Sequence, residues 1–139
     1  MKKTILLVED NPDDEELTLD ALRTGGVTNE INVARDGAEA LDMLFAPNTP
    51  RPQLILLDLK LPRVSGLEVL RRIRSTPETR HIPTVVLTSS SENSDILGSY
   101  ELGANSYVRK PVEFGEFVRA VQTLGAYWVI VNEAAPESL

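Results

Sequence analysis

Polar side chains that could bind a metal ion and a phosphoryl group lie at the ends of four short apolar segments of the sequence. Glu9 and Asp10 come directly after the first segment, Asp58 follows another, Thr88 ends a third and Lys110 follows the last. Carboxylates that pack together repel each other, which raises their pKa values and costs stability. A divalent cation would remove that repulsion, and oxygen ligands suit Mg²⁺, which proteins usually hold with one or two carboxylates. The residue types therefore predict a Mg²⁺ site where these segments meet.

The same residues suit phosphoryl transfer. A carboxylate such as Asp58 can attack phosphorus and form an acyl phosphate. A metal ion and an amine such as Lys110 can neutralise charge on the transferred group, and the Thr88 hydroxyl can donate to it. Taken alone, each residue has an ordinary interpretation as a turn or cap acid, a loop hydroxyl or a solvated lysine. Their coincidence at four segment ends favours the functional interpretation.

Short apolar runs alternate with helical patterns along the chain. The spacing predicts strands at Ile5–Val8, Glu30–Ala34, Leu54–Leu57, Val85–Leu87 and Ser106–Val108. It predicts helices at Pro12–Thr24 and Gly37–Phe45, around Leu67–Ile73, at Ser94–Leu102 and from Val112 onward. Apolar strands separated by helices indicate an α/β protein with a doubly wound, five-stranded parallel sheet and helices on both faces. The carboxyl ends of such strands meet at one edge, where these folds bind ligands.

Composition excludes several classes of protein. The 139 residues suit one domain, and the absence of cysteine excludes disulfides, thiol catalysis and cysteine metal sites. The net charge of −7 predicts no binding to nucleic acid, because an acidic surface repels phosphate backbones. No apolar run reaches the roughly 20 residues of a membrane span, and Ile5–Val8 is too short for a secretion signal. We therefore expect a cytoplasmic protein with no membrane contact.

Four motifs carry a family resemblance. They are LLVEDNPDD, ending at Asp14; LILLDLKLPRVSG, starting at Leu54; VVLTSS, starting at Val85; and GANSYVRKP, starting at Gly103. In this order and spacing, the chain resembles response-regulator receiver domains of two-component signalling from about Thr4 to Leu124. The resemblance implies a receiver domain over residues 1–126, with the flavodoxin-like (βα)5 fold and strand order 2-1-3-4-5.

The resemblance implies a role for each acidic residue. Asp58 would be the phosphoacceptor, receiving its group from a sensor histidine kinase. Glu9 and Asp10 would form the acidic pocket around Mg²⁺, together with Asp58 and the backbone carbonyl of Lys60. The protein would be a phosphoacceptor switch rather than an enzyme, although it would take part in its own phosphoryl transfer and autodephosphorylation.

The remaining motif residues would contact the phosphoryl group or change position when Asp58 is phosphorylated. Thr88 would donate a hydrogen bond to the phosphoryl group and move toward it, and Lys110 would form an ion pair with a phosphoryl oxygen. Tyr107 would be the switch aromatic that rotates inward as Thr88 moves, although an aromatic residue in a short strand is also a common packing residue. Pro111 would follow a cis peptide bond.

A narrower resemblance concerns the carboxyl-terminal half. The stretch ILGSYELGANSYVRKPVEFGEFVRAV, followed by YWVIVN, is similar to single-domain regulators paired with phytochrome-type light-sensing kinases. This similarity implies such a kinase as the partner. Too few residues follow the last helix for a DNA-binding domain, so the output is expected to be a protein contact or a relay within a longer phosphotransfer chain.

The apolar tail over residues 127–139 suggests self-association. Phe117, Val121, Leu124, Trp128 and Val131 recur at helical spacing if the last helix continues. A concentrated apolar patch at a chain end is unusual on a monomer. We hypothesise a homodimer built on the last helix and this tail. The alternative is a tail folded back on its own domain.

Three other functions fit the sequence less well. A phosphatase of the haloacid dehalogenase type needs an aspartate two residues after its nucleophile, where this chain has Lys60. A flavodoxin-like cofactor binder needs a phosphate loop after the first strand, where Glu9 and Asp10 would repel a phosphate. A receiver-like module that is never phosphorylated would have no need for the residues that the motifs retain.

Overall fold

Five strands and five helices alternate along the chain in the computed structural model, which describes residues 3–110 and 113–136. The strands are β1 (Thr4–Val8), β2 (Glu30–Ala34), β3 (Leu54–Leu57), β4 (Thr84–Thr88) and β5 (Ser106–Arg109). The helices are α1 (Pro12–Thr24), α2 (Gly37–Phe45), α3 (Gly66–Ser75), α4 (Asn93–Glu101) and α5 (Phe114–Gly125), followed by a terminal π-helix (Ala126–Val131). All strand pairs are parallel and the order is β2-β1-β3-β4-β5. The predicted fold class and strand order are therefore confirmed.

The start of α1 shows how closely local signals set the element boundaries. The helix begins at Pro12 as predicted, because the Asn11 side chain accepts hydrogen bonds from the backbone N–H groups of Asp13 and Asp14 at 2.9 and 3.1 Å. These bonds satisfy donors that no helical carbonyl can reach, and a proline at the first position loses no helical bond. This cap places the first turn of α1 directly after the carboxylates that follow β1.

Two strands extend beyond their apolar runs. β4 includes Thr84 and Thr88, and β5 continues to Arg109, because the parallel pairing continues through these polar residues. Strand pairing uses backbone groups, which do not depend on an apolar side chain. The extension makes Thr88 the last residue of β4 and places it beside the end of β5.

The sheet is covered on both faces. Ile5 and Leu7 of β1 belong to a core shared with α1 and α5, whereas Leu6 and Val8 belong to a second core shared with α2 and α3. Successive strand residues point to opposite faces, so a strand between two helical layers is apolar throughout. Every residue of β1, β3 and β4 is buried, and this packing holds their carboxyl ends in fixed positions.

The absence of a side chain at Gly66 allows α3 to begin against the backbone that follows β3. A Cβ at this position would lie 2.3 Å from the carbonyl oxygen of Asp58 and 2.6 Å from the Cα of Leu59. The Gly66 N–H also donates a hydrogen bond of 3.1 Å to the carbonyl oxygen of Leu59. The position of Asp58 therefore depends on this close contact.

The carboxyl-terminal segment differs in part from the predicted stripe. Phe117, Val121 and Leu124 of that stripe are buried, whereas Val131 at its end is 69% exposed. Trp128 and Val129 pack against the core beside α1 and α5, and the Gln53 side-chain amide donates a hydrogen bond of 3.3 Å to the Val129 carbonyl oxygen. The tail is thus partly folded back on its own domain.

Across residues 3–110 and 113–136, no helix has the length and apolar character needed to cross a membrane.

Replacing Gly66 by alanine should destabilise the protein. The new methyl group would collide with the backbone at Asp58 and Leu59, and overpacking of this kind costs about 1–3 kcal/mol in the free energy of unfolding. Urea denaturation of Gly66→Ala measures the loss. Gly98→Ala is the matched control, because its Cβ would meet no atom closer than 3.9 Å and alanine favours a helix. Equal stability of the two variants would refute the close-contact argument.

Candidate functional site

Three carboxylates meet where β1 and β3 end. The two strands are neighbours in the sheet, with Val8 opposite Leu57, so the residues that follow them emerge side by side. Glu9, Asp10 and Asp58 each offer a carboxylate oxygen within 4.8 Å of the others. Glu9 and Asp58 are buried and Asp10 is exposed. The predicted acidic cluster therefore forms, and its ligand atoms are close enough to share one metal ion.

The Lys110 ammonium lies among these carboxylates. Its Nζ is 2.5 Å from Glu9 Oε1, 2.9 Å from Asp14 Oδ2 and 3.2 Å from Asp58 Oδ2. The Lys110 backbone N–H also donates a 2.7 Å hydrogen bond to the Thr88 carbonyl oxygen, which fixes the end of β5 beside the end of β4. One buried amine thus connects β1, α1, β3 and β5.

Asp14 is the member of this cluster that the sequence analysis missed. It lies in the first turn of α1, which starts at the same edge of the sheet. The sequence signal that could have indicated Asp14 was its place in the first turn of α1. Asp13 and Glu15 lie in the same turn, so this signal does not single out Asp14. Three adjacent acidic residues point in different directions around a helix, so helix rotation had to be known before Asp14 could be chosen.

Burial perturbs both partners of the Glu9–Lys110 pair. Burial raises the pKa of Glu9 to about 7, and the charge of Asp58 adds to the rise, although Lys110 opposes it. Burial alone would lower the pKa of Lys110, but its hydrogen bonds to Glu9 and Asp14 and the charge of Asp58 raise that pKa above its ordinary value. Lys110 therefore stays charged, and the carboxylates around it outnumber it. Such a site attracts a further cation.

Asp58 receives hydrogen bonds on both carboxylate oxygens. Its Oδ1 accepts from the Thr88 hydroxyl at 2.8 Å and from the Lys60 backbone N–H at 3.2 Å, while its Oδ2 faces Lys110. β3 and β4 are adjacent strands, which is why Thr88 reaches Asp58 across one strand spacing. Donors therefore surround Asp58 in positions where they could stabilise negative charge on an attached group.

Tyr107 connects β5 to the loop after β4. The side chain is half-buried, and its hydroxyl donates a hydrogen bond of 2.9 Å to the carbonyl oxygen of Ser90, two residues beyond Thr88. Burial raises the pKa of Tyr107, and the nearby carboxylates of Asp95 and Asp58 add to the rise. Tyr107 therefore contacts the segment that directly follows Thr88. The predicted cis bond before Pro111 lies outside the described residues.

One cavity in the described part of the chain lies away from these carboxylates. It measures about 380 Å³ and is lined by residues that precede β1, β3 and β4 and by part of the tail, among them Lys3, Gln53 and Ile82. Those residues are at the amino ends of the strands, so the cavity and the carboxylates occupy opposite edges of the sheet. None of the predicted site residues lines it.

Known proteins similar to this chain share its fold over almost their whole length. Rcp1 of Synechocystis sp., a response regulator, is 40% identical over 131 residues, which cover 91% of this chain and 89% of Rcp1. The crystal structure of the Mn²⁺-bound form of Rcp1 matches with a TM-score of 0.91 and 38% identity, covering 96% of this chain and 99% of that one.

Two further similar structures are those of phytochrome response regulators. The phosphorylated cyanobacterial phytochrome response regulator RcpA has a TM-score of 0.91 and 38% identity, covering 98% of this chain and all of that chain (100%). The bacteriophytochrome response regulator RtBRR is 54% identical, with a TM-score of 0.76, covering 99% of this chain and 87% of that one. Residues 5–122 match the response regulator receiver domain, and with these relatives the match shows that the chain belongs to the response regulator receiver family.

Proposed function

We propose that this protein is a phosphorylation switch in which Asp58 accepts a phosphoryl group from a sensor histidine kinase. The observation that carries the proposal is the buried Asp58 carboxylate, which has Thr88, Lys60 and Lys110 donors directed at it. Asp58 accepts hydrogen bonds from three donors and lies beside two further acids, an arrangement that suits a group whose negative charge increases.

The metal ion in this proposal is Mg²⁺. Glu9, Asp10 and Asp58 would hold it, with the backbone carbonyl of Lys60 as a further ligand. The fit rests on the donor set, because carboxylate and carbonyl oxygens suit a hard divalent cation and the three carboxylates lie within 4.8 Å. When bound, the ion would neutralise charge on the phosphoryl oxygens. The similarity to an Mn²⁺-bound receiver supports a divalent ion at this position.

The chain's own residues would position and stabilise the transferred group. An Asp58 oxygen forms a bond to phosphorus while the bond from phosphorus to the donor's leaving group breaks. Lys110 and Thr88, which now contact Asp58, would donate to phosphoryl oxygens instead. Glu9 and Asp14 keep the Lys110 ammonium beside the reacting carboxylate throughout. Attack of water on phosphorus would later release phosphate and restore the carboxylate, which is the autodephosphorylation step.

The switch would pass from Thr88 to Tyr107. When Thr88 moves toward the phosphoryl group, the following residues, including Ser90, move with it. The Tyr107 hydroxyl contacts the Ser90 carbonyl oxygen, so its present position depends on that loop. Inward rotation of Tyr107 would change the surface formed by α4 and β5. This surface would contact another protein rather than nucleic acid, because a chain with a net charge of −7 repels phosphate backbones.

The proposed kinase partner is a phytochrome-type histidine kinase. The support comes from the likeness to RcpA and RtBRR, which are described as phytochrome and bacteriophytochrome response regulators.

Acetyl phosphate with Mg²⁺ should phosphorylate the protein once. Intact mass spectrometry should record a gain of about 80 Da, the mass of one phosphoryl group, for the wild type but none for Asp58→Asn. Asp20→Asn, an exposed change in the middle of α1, is the matched control and should gain the same mass as the wild type. Chelation of Mg²⁺ by EDTA should abolish the gain. An unchanged gain in Asp58→Asn would place the phosphorylated residue elsewhere and refute the proposal.

A second proposal concerns self-association through the last helix and tail. Tyr127, Ile130 and Val131 of the terminal π-helix are 48%, 63% and 69% exposed, and they form an apolar surface beside α5. Trp128 and Val129 pack on the core and orient the other side chains outward. A second copy of this chain would remove the exposed apolar area from water.

Sedimentation should find a wild-type dimer that charge on this surface disrupts. The double variant Ile130→Asp/Val131→Asp should sediment as a monomer, because two carboxylates cannot be buried without partners. Leu97→Asp, at an equally exposed residue of α4, is the control and should remain dimeric. A monomeric wild type would refute the proposal. Dissociation of Leu97→Asp alone would instead assign the interface to α4.

A further inference from the structure

An ion pair crosses from the loop after β3 to the first turn of α4. The Lys60 ammonium lies 3.7 Å from Asp95 Oδ2, and the same Asp95 oxygen accepts a 2.6 Å hydrogen bond from the Ser90 hydroxyl. Lys60 follows β3 and Ser90 follows β4. Asp95 therefore contacts the loop that begins at the phosphoacceptor and the loop that follows the neighbouring strand.

Asp58 is contacted by the first of these loops and by the last residue of β4, which leads into the second. The Lys60 backbone N–H donates to Asp58 Oδ1, and the Thr88 hydroxyl donates to the same oxygen two residues before Ser90. The Ser90 carbonyl oxygen in turn accepts the Tyr107 hydroxyl. Asp95 is therefore connected to Asp58 by two separate routes, one through Lys60 and the other through the segment from Ser90 back to Thr88.

The two lysines beside Asp58 are held very differently. Lys110 is 9% exposed and contacts three carboxylates, whereas Lys60 is 60% exposed and, among the described residues, has one carboxylate within ion-pair distance. Exposed pairs of this kind are weak and easily exchanged. A phosphoryl group carries about −1.5 to −2 charges at neutral pH, so it would compete strongly for a nearby ammonium. Of the two lysines, Lys60 is the one free to change partners.

We propose that Asp95 is a positioning residue that shares the Lys60 ammonium with phosphorylated Asp58 and thereby couples phosphorylation to the first turn of α4. Transfer of Lys60 from Asp95 to the phosphoryl group removes one of the two side-chain contacts that Asp95 makes with these loops. By thermodynamic reciprocity, the Asp95 charge must also weaken the hold of the site on a phosphoryl group. The inference rests on the proposed function of Asp58.

Neutralising Asp95 should therefore strengthen binding of a phosphoryl mimic. Titration with beryllofluoride and Mg²⁺ should give an affinity for Asp95→Asn about two- to fivefold higher than that of the wild type, the range of a weak ion pair. Asparagine can still accept the Ser90 hydrogen bond, so the change removes charge and little else. Glu101→Gln, at the end of the same helix, is the charge-matched control and should bind as the wild type does.

A double-mutant cycle separates the ion pair from other effects of Asp95. In Lys60→Gln protein, which keeps the backbone carbonyl at that position, Asp95→Asn should have no further effect on the affinity. In Lys60→Arg protein, Asp95→Asn should again raise the affinity as much as it does beside Lys60. High salt should reduce this gain in affinity both with Lys60 and with the arginine substitution. An equal gain with and without Lys60, or no gain in Asp95→Asn, would overturn this inference alone. A wild type that binds no beryllofluoride would overturn the proposed function of Asp58 as well.

Discussion

The contact of Lys110 with three carboxylates determines how the functional edge of this protein is arranged. Glu9, Asp14 and Asp58 come from a strand end, a helix and a second strand end, and each would repel the others without the ammonium between them. The amine reaches them because β5 ends beside β4, where the Lys110 N–H bonds to the Thr88 carbonyl. A displaced β5 would leave the buried carboxylates of Glu9 and Asp58 without their cationic partner, which costs on the order of several kcal/mol.

This arrangement stabilises negative charge but does not neutralise it. Lys110 supplies one positive charge, and Asp10 adds a further carboxylate at the rim. Burial raises the pKa of Glu9, and the charge of Asp58 adds to the rise. A divalent cation and a phosphoryl group bring charge of opposite sign to the site, so each makes the other's binding more favourable. Coupled binding of this kind explains why a receiver combines a metal site with a phosphoacceptor.

Sequence alone predicted the sheet and most of the site because each depends on local signals. The Asn11 cap, the apolar strands and the residues directly after them are all readable along the chain, and parallel strands bring their ends to one edge. Asp14 was not predicted because helix rotation decides which acid of the first turn faces Lys110. The sequence does not decide between a tail that folds back and a tail that forms a dimer. Trp128 packs inward while Ile130 faces outward, and periodicity does not distinguish the two sides of a π-helix.

The proposed switch depends most on one metal ion that is shared by the carboxylates at the ends of β1 and β3. Calorimetric titration of Mg²⁺ into the wild type, Asp10→Asn and Asp13→Asn tests this directly, because Asp10 belongs to the cluster and Asp13 does not. We expect one ion per chain in the wild type, at least about tenfold weaker binding in Asp10→Asn and wild-type binding in Asp13→Asn. Equal affinities for all three proteins would contradict it.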